Sequence, residues 1–246
     1  MKTAHPLLLL SAAGVRHAAR ARHLPAAELS RRIYAYHTFP LGRASQGARQ
    51  EWPELEAWLG ITVDSNWSRT LGSAFMAAPD PDRHWMHWRR PVSTGPLQHK
   101  LYVSPTPESV REVFPLLVET FDAMEVPAFK IGASRRALLR PDKLVAYFAS
   151  REHLSAVAEE LTVSLGRAPV HGVPFTPPLD STGLLSWGYD PGNGGSWRSW
   201  IAQVLAGAIA RAPIGPVEQT VSYARGVLRS AGVDPDTWAP VGGLLP

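Results

Sequence analysis

The chain of 246 residues contains no cysteine. This absence excludes disulfide frameworks, thiol nucleophiles, and zinc or iron–sulfur sites held by cysteine. It does not indicate a redox compartment, because a cysteine-free protein folds in either environment.

Long apolar runs are also missing from the sequence. The most apolar run, Leu7–Leu10, follows Pro6 and is soon interrupted by Arg16 and Arg20. A membrane-spanning helix needs about 20 apolar residues, so we expect no span and no membrane partner. A secretory signal is the alternative interpretation of this N-terminus, but the short run and the arginines favour an amphipathic helix. A cytoplasmic location is the default expectation.

Several catalytic motifs are absent as well. The chain has no Gly-x-Ser-x-Gly elbow, no P-loop and no His-Glu-x-x-His pair. His84 and His87 could share a helical face, but the adjacent Trp85 and Trp88 favour a packed pair over a metal site. Residues 192–195 could form an anion-binding nest, although a plain loop is the simpler interpretation. We therefore expect neither a metal nor a cofactor.

The composition is that of an ordinary globular protein with a mild basic excess. Hydrophobic residues make up 45% and charged residues 19%, and the formal net charge is +4. A basic protein favours anionic partners in general. The arginines are scattered and no long Lys/Arg run is present, so nucleic acid is not expected as a partner.

The pattern along the chain predicts an α+β fold, with a central antiparallel or mixed sheet and helices packed around it. Residues 1–95 form a predicted helical extension rich in tryptophan, in which Pro25 begins a second helix. Residues 96–246 form the predicted core. Its expected strands are 100–104, 128–131 and 143–149, its expected helices lie around 110–121, 150–161, 197–209 and 216–230, and residues 186–195 are predicted to form a loop.

Polar residues stand in or beside the three predicted strands: Lys100, Tyr102, Lys130, Arg140 and Tyr147. Lys100 and Tyr102 are two residues apart on one strand, so their side chains share a face. Lys130 lies in a short apolar strand, an unusual place for a solvated lysine. Lysines at strand ends commonly extend to water, and Asp142 could cap a turn or pair with Arg140. Spacing alone leaves open whether these residues form one site.

Three segments resemble successive motifs of the phosphothreonine-lyase family: HKLYVS at 99–104, Phe129-Lys130, and RPDKLVAYF at 140–148. This family includes type III effectors that inactivate kinases, and lyases of peptide-natural-product pathways. The chain is most similar in form to the Hop-effector-like lyases of class V lanthipeptide and thioamitide clusters. The resemblance extends over about residues 97–200, and residues 1–95 match nothing recognisable.

The resemblance implies a metal-independent carbon–oxygen lyase. Such an enzyme removes phosphate from phosphoserine or phosphothreonine by β-elimination and leaves dehydroalanine or dehydrobutyrine. Lys130 would take the α-proton, for which a lysine suits when it is neutral. Lys100 and Arg140 would bind the phosphate, with Tyr147 as a hydrogen-bond donor and Arg198 as an additional arginine.

The sequence departs from the effector branch at the residue expected to protonate the leaving oxygen. The effectors carry histidine two residues after the first-strand lysine, where this chain has Tyr102. Tyrosine is the weaker acid at neutral pH because its unperturbed pKa is about 10. His99 or another histidine could serve instead. Asp190 could orient Arg198 or pair with Arg140.

Two functions stay open from the sequence. The first is a lyase that acts on a phosphorylated precursor peptide, with a separate Ser/Thr kinase because the chain has no kinase signature. The second is a catalytically inactive lyase-like module that binds the precursor peptide or a partner kinase. We also expect the region before Pro96 to dock a leader peptide or the kinase.

Overall fold

A six-stranded antiparallel sheet organises the chain, in the strand order β1-β2-β4-β5-β3-β6. The computed structural model describes residues 4–40, 52–61, 64–79, 84–91, 95–190 and 196–241. The α+β prediction is confirmed. The strands are β1 (Met76–Pro79), β2 (Trp85–Arg89), β3 (His99–Val103), β4 (Ala128–Gly132), β5 (Leu144–Phe148) and β6 (Leu185–Tyr189). The helices are α1 (Pro6–Arg20), α2 (Ala26–Tyr34), α3 (Trp52–Leu59), α4 (Asn66–Ala74), α5 (Val110–Ala123), α6 (Arg135–Leu138), α7 (Arg151–Leu165), α8 (Trp197–Arg211) and α9 (Val217–Ser230).

One face of the sheet forms the larger core. Strand side chains alternate between faces, so Leu101, Phe129 and Ala146 all point to this side, where they are fully buried. The apolar stripes of α5 and α7 cover them, with Phe114 and Val157 in the same cluster. Burying one such large side chain contributes about 1.5–3 kcal/mol. This face therefore anchors the strands that carry the site residues on their other side.

The opposite face of the sheet lies against a helical layer made of α1, α2, α8 and α9. These helices share a second apolar cluster that includes Leu29, Ile33 and Ile201. Helix α8 approaches the sheet at Gly188 of β6, where a Cβ atom would stand 2.9 Å from the Cβ of Trp197. Only glycine permits this approach without displacing the helix.

Two sequence-based assignments are changed by the structure. Residues 186–189 were predicted to lie in a loop, but they form most of β6 and pair with β3. A glycine such as Gly188 is typical of loops in a local sequence pattern. In the structure it lies in a strand, at the position where α8 approaches closely. The predicted helical extension also contains β1 and β2, which join the sheet next to β4. The proposed boundary near residue 95 stays a prediction.

The N-terminal helices follow the predicted pattern. Helix α1 is amphipathic, with Leu7 and Val15 buried, and α2 begins directly after Pro25. None of the helices in the described part of the chain has the length and apolar character needed to cross a bilayer.

Candidate active site

The strand register brings the predicted site residues together on the face that meets the helical layer. Lys130 of β4 stands opposite Val145 of β5, which in turn stands opposite Tyr102 of β3. In the next row Tyr147 stands opposite Lys100. Neighbouring strands are about 4.8 Å apart. Lys130 and Tyr102 therefore flank Val145 from its two sides, two strand spacings apart.

These residues surround a cavity of about 90 Å³ between the sheet and the helical layer. Among the predicted site residues, Lys100, Tyr102, Lys130, Arg140 and Tyr147 line this cavity. The remaining lining residues are Tyr34, Trp85, Asp142, Val145 and Ser196. Ser196 is the N-cap of α8, so the positive end of that helix dipole lies at the cavity. We refer to this cavity as the cationic pocket.

Arg140 is held at the pocket by a short segment after β4. Helix α6 packs over Gly132, where a Cβ atom would come within 2.7 Å of the Cβ of Ala137. From there Arg140 donates from Nε and Nη2 to the two carboxylate oxygens of Asp142, each at 3.0 Å. Its Nη2 also donates to the Tyr34 hydroxyl at 2.6 Å. The pairing of Asp142 with Arg140, one of the sequence alternatives, is thus confirmed.

Arg198 lies behind the pocket and contacts it through Asp142. Its Nη1 is 2.8 Å from Asp142 Oδ2, and its Nη2 donates to the Tyr34 carbonyl at 2.8 Å. Burial alone would raise the pKa of Asp142, but the charges of Arg198 and Arg140 hold it well below its usual value. One carboxylate therefore fixes two guanidinium groups. The predicted phosphate ligand Arg198 does not line the pocket, and Arg140 is the arginine that does.

Lys100 is also paired with a carboxylate, but a more accessible one. Its Nζ lies 2.6 Å from Asp190 Oδ1, and the side chain of Asp190 is 30% exposed compared with 9% for Lys100. Asp190 was a candidate to orient Arg198 or to pair with Arg140, and both expectations are wrong. The two arginines share Asp142 instead, which lies two residues after Arg140 in the turn that precedes β5.

Two tyrosine side chains complete the polar wall of the pocket. Burial raises the pKa of Tyr102 well above its usual value, although the charge of Arg198 opposes the shift. Burial and the negative charge of Asp190 also raise the pKa of Tyr147. Neither phenol hydroxyl makes a hydrogen bond to another of the residues that the structure describes. Both hydroxyls can therefore donate a hydrogen bond to a ligand in the pocket.

His99 lies outside the pocket, contrary to its role as an alternative acid. It neighbours Lys100 on β3, so its side chain points to the other face of the sheet. Its ring packs against Tyr189, and burial lowers its pKa. Histidine at this position therefore cannot reach a phosphate bound between Lys100 and Arg140.

His84 and His87 do not share a helical face. His84 precedes β2, and His87 lies within it on the pocket side, opposite Lys130. Over the described ranges, no three acidic or histidine side chains converge to hold a metal ion. The suggested anion nest at residues 192–195 lies outside the described residues.

Sequence reasoning missed two aromatic residues that contact the cations. The centre of the Tyr34 ring lies 5.2 Å from Arg140 Cζ and 5.0 Å from Arg198 Cζ. The Trp85 ring lies 4.1 Å from Lys130 Nζ and 5.0 Å from Arg140 Cζ. The alternation in β2, where Met86 and Trp88 are buried, is the signal that could have placed Trp85 on the opposite face.

Comparisons with known proteins extend these findings. No protein-family model matches the chain, and no curated protein matches its sequence. The effector protein from Pseudomonas syringae pv. syringae strain 61 is 15% identical, with 93% of this chain and 96% of that chain covered and a TM-score of 0.55. The effector from P. syringae pv. tomato strain DC3000 is 13% identical, covers 93% and 98%, and has a TM-score of 0.57. At these identities the likeness shows a shared fold alone.

A phosphothreonine lyase is also among the structural neighbours. SpvC, the effector protein from Salmonella, is 11% identical over 82% of this chain and 99% of that chain, with a TM-score of 0.41. A likeness at this distance carries no argument about the present chain.

Proposed function

We propose that the cationic pocket removes phosphate from phosphoserine or phosphothreonine of a ribosomal precursor peptide by β-elimination. The observation that carries the proposal is the convergence of Lys100, Lys130 and Arg140 on one small cavity that the phenols of Tyr102 and Tyr147 also line. The precursor peptide as substrate rests on the motif resemblance at residues 99–104, 129–130 and 140–148. A separate Ser/Thr kinase would supply the phosphorylated peptide.

The phosphate fits the side of the pocket formed by β3, β5 and Arg140. Lys100 and Arg140 supply positive charge, and charged donors bind phosphate oxygens more strongly than neutral ones. The hydroxyls of Tyr102 and Tyr147 supply two further donors. A dianion in this position would also meet the N-terminal end of α8 at Ser196, where helix geometry favours negative charge.

Lys130 stands across Val145 from Tyr102, where it can act as the base. In the proposed step, the neutral amine at Nζ takes the α-proton of the phosphorylated residue. The electron pair of the broken Cα–H bond forms the Cα=Cβ double bond. The Cβ–O bond breaks, and the phosphate leaves with its electrons. Fixed positive charges at Lys100 and Arg140 stabilise the negative charge that develops on the leaving group.

Tyr102 serves as a hydrogen-bond donor to the leaving oxygen in this proposal. Because burial raises its pKa well above the usual value, the phenol is a poor full proton donor. The departing phosphate is instead carried as an anion by the cations that surround it. This arrangement accounts for a lyase that lacks the histidine of the effector branch.

Mass spectrometry of a phosphoserine or phosphothreonine peptide, incubated with the protein and no added metal, tests the proposal. Elimination removes the elements of phosphoric acid, whereas a phosphatase leaves a free hydroxyl and thereby refutes the proposal. Lys130→Ala should abolish the mass change while phosphopeptide binding survives. Lys143→Met is a matched control, because Lys143 is fully buried away from the pocket and bonded to His171.

The same experiment tests the second candidate function, a lyase-like module that binds without catalysis. Two observations favour this alternative: the pKa of Tyr102 is raised, and the carboxylate of Asp190 is already paired with Lys100. It predicts that the phosphopeptide binds to the wild-type protein and never changes mass. Under this alternative Lys130→Ala leaves the pathway output intact.

A further inference from the structure

One indole ring contacts both the proposed base and the proposed phosphate ligand. The ring of Trp85 lies 4.1 Å from Lys130 Nζ and 5.0 Å from Arg140 Cζ. Trp85 is half-buried and lines the cationic pocket. Both distances lie within the range of about 6 Å over which an aromatic face attracts a cation.

The register of β2 and β4 explains how one ring reaches both groups. Trp85 stands opposite Gly132, and His87 stands opposite Lys130, so Trp85 is the diagonal neighbour of Lys130. Diagonal cross-strand neighbours are about 7–8 Å apart, within reach of aromatic and long side chains. Because Gly132 has no side chain, α6 packs directly over it at Ala137, and this brings the following segment with Arg140 to the same end of the strand pair.

A fixed ring matters here because its two partners are long side chains that carry the same sign of charge whenever Lys130 is an ammonium. Lysine and arginine have many rotamers, and two nearby cations repel each other. An aromatic face attracts both and offsets part of that repulsion. Tyr147 gives Lys130 a second, more distant ring at 5.7 Å, and Tyr34 does the same for Arg140 at 5.2 Å.

We infer that Trp85 is a positioning residue that holds Lys130 and Arg140 at the separation the elimination requires. The inference rests on the proposed function, because it assigns the two partners their roles. Trp85 itself does not touch the reacting bonds. It acts by setting where the base amine stands relative to the bound phosphate.

Kinetics of Trp85→Leu and Trp85→Phe test the inference. Leucine keeps the position apolar and removes the ring, and we expect kcat to fall about 100-fold, as for a misplaced catalytic group, with a smaller change in KM. Phenylalanine keeps an aromatic face, and it should restore most of the rate. Because the ring favours ammonium over neutral amine, the acidic limb of the pH–rate profile should move to lower pH in Trp85→Leu.

Trp187→Leu is the matched control. The Trp187 ring is half-buried like that of Trp85, and its centre lies 4.1 Å from Arg151 Cζ. It lies on the opposite face of the sheet from the pocket. This variant loses a tryptophan–cation contact of the same kind outside the pocket. Its kcat and its pH–rate profile should match those of the wild-type protein.

A readout that is independent of activity separates failure of this inference from failure of the proposed function. A ring this close to Nζ should shift the NMR signals of the Lys130 ε-methylene upfield, and Trp85→Leu should abolish that shift. If the wild-type protein eliminates phosphate but Trp85→Leu keeps its rate and pH profile, the positioning role is overturned and the function stands. If the wild-type protein does not eliminate phosphate, the proposed function is wrong. If the wild-type protein shows no upfield shift of the Lys130 ε-methylene signals, the contact between Trp85 and Lys130 is wrong, whatever the activity.

Discussion

The pairing of Asp190 with Lys100 predicts that this carboxylate competes with the substrate phosphate. Lys100 Nζ and Asp190 Oδ1 are 2.6 Å apart at the pocket. A phosphate that binds Lys100 must displace Asp190 or share the ammonium with it. The replacement Asp190→Asn removes the negative charge and keeps nearly the same shape. We therefore expect this variant to bind a phosphopeptide more tightly.

The magnitude follows from the exposure of the pair. A hydrogen bond between charged groups contributes about 1.5–3 kcal/mol when it is buried, and a solvent-exposed ion pair contributes about 0–1 kcal/mol. Lys100 is buried and Asp190 is 30% exposed, which places the pair between these limits. The asparagine variant keeps a neutral acceptor, so the difference is about 1 kcal/mol. This corresponds to a dissociation constant about fivefold lower.

The assay is isothermal titration calorimetry with a phosphopeptide, performed in a Lys130→Ala background so that the ligand is not consumed. Asp122→Asn serves as the control, since Asp122 pairs with Arg90 at 2.7 Å on the other side of the sheet and should not affect binding. The gain from Asp190→Asn should shrink as salt is added. Weaker binding by Asp190→Asn would refute the reasoning, because it would mean that Asp190 orients Lys100 in the complex.

Three further predictions concern stability. Asp142→Asn should lower the free energy of unfolding, measured in urea, by about 3–5 kcal/mol. In the wild-type protein, the contribution of the ionised Asp142 to this free energy is complete above pH about 4, and it is lost as the pH falls through the depressed pKa of Asp142. Gly188→Ala should lower the melting temperature, because the new Cβ meets Trp197 at 2.9 Å, whereas Gly226→Ala, in open space on α9, should raise it slightly. Burial lowers the pKa of Lys143 to about 7, so the free energy of unfolding should rise with pH from about 7 to 10, and Lys143→Met should flatten that slope in urea titrations.

The strands that carry the site were predictable because their patterns are local. The predicted bounds of β4 and β5 agree with the observed bounds to within one or two residues. The shared face of Lys100 and Tyr102 follows from strand alternation alone. The meeting of Lys130 with Tyr102 does not, because it depends on β4 and β3 both pairing with β5. No local pattern encodes that strand order.

The partners of the charged groups could not be read from the sequence. Asp142 was one of two options for Arg140, but its second contact with Arg198 joins residues 56 positions apart through the packing of α8. Asp190 reaches Lys100 because β6 pairs with β3, whereas the local sequence pattern predicted a loop over most of β6. Because β6 was predicted as a loop, the predicted electrostatic partner of Asp190 was also wrong.

The pocket also changes how a docking role for residues 1–95 can be tested. Tyr34 of α2 and Trp85 of β2 both belong to this region, and both contact Arg140. Removing the region would delete two strands and two walls of the pocket together with any docking surface. Loss of peptide binding after such a truncation would follow even if no leader peptide ever touched the region. A docking role must therefore be tested with surface substitutions that leave Tyr34, Trp85 and the β2–β4 pairing intact, because only then does weaker leader binding report on docking.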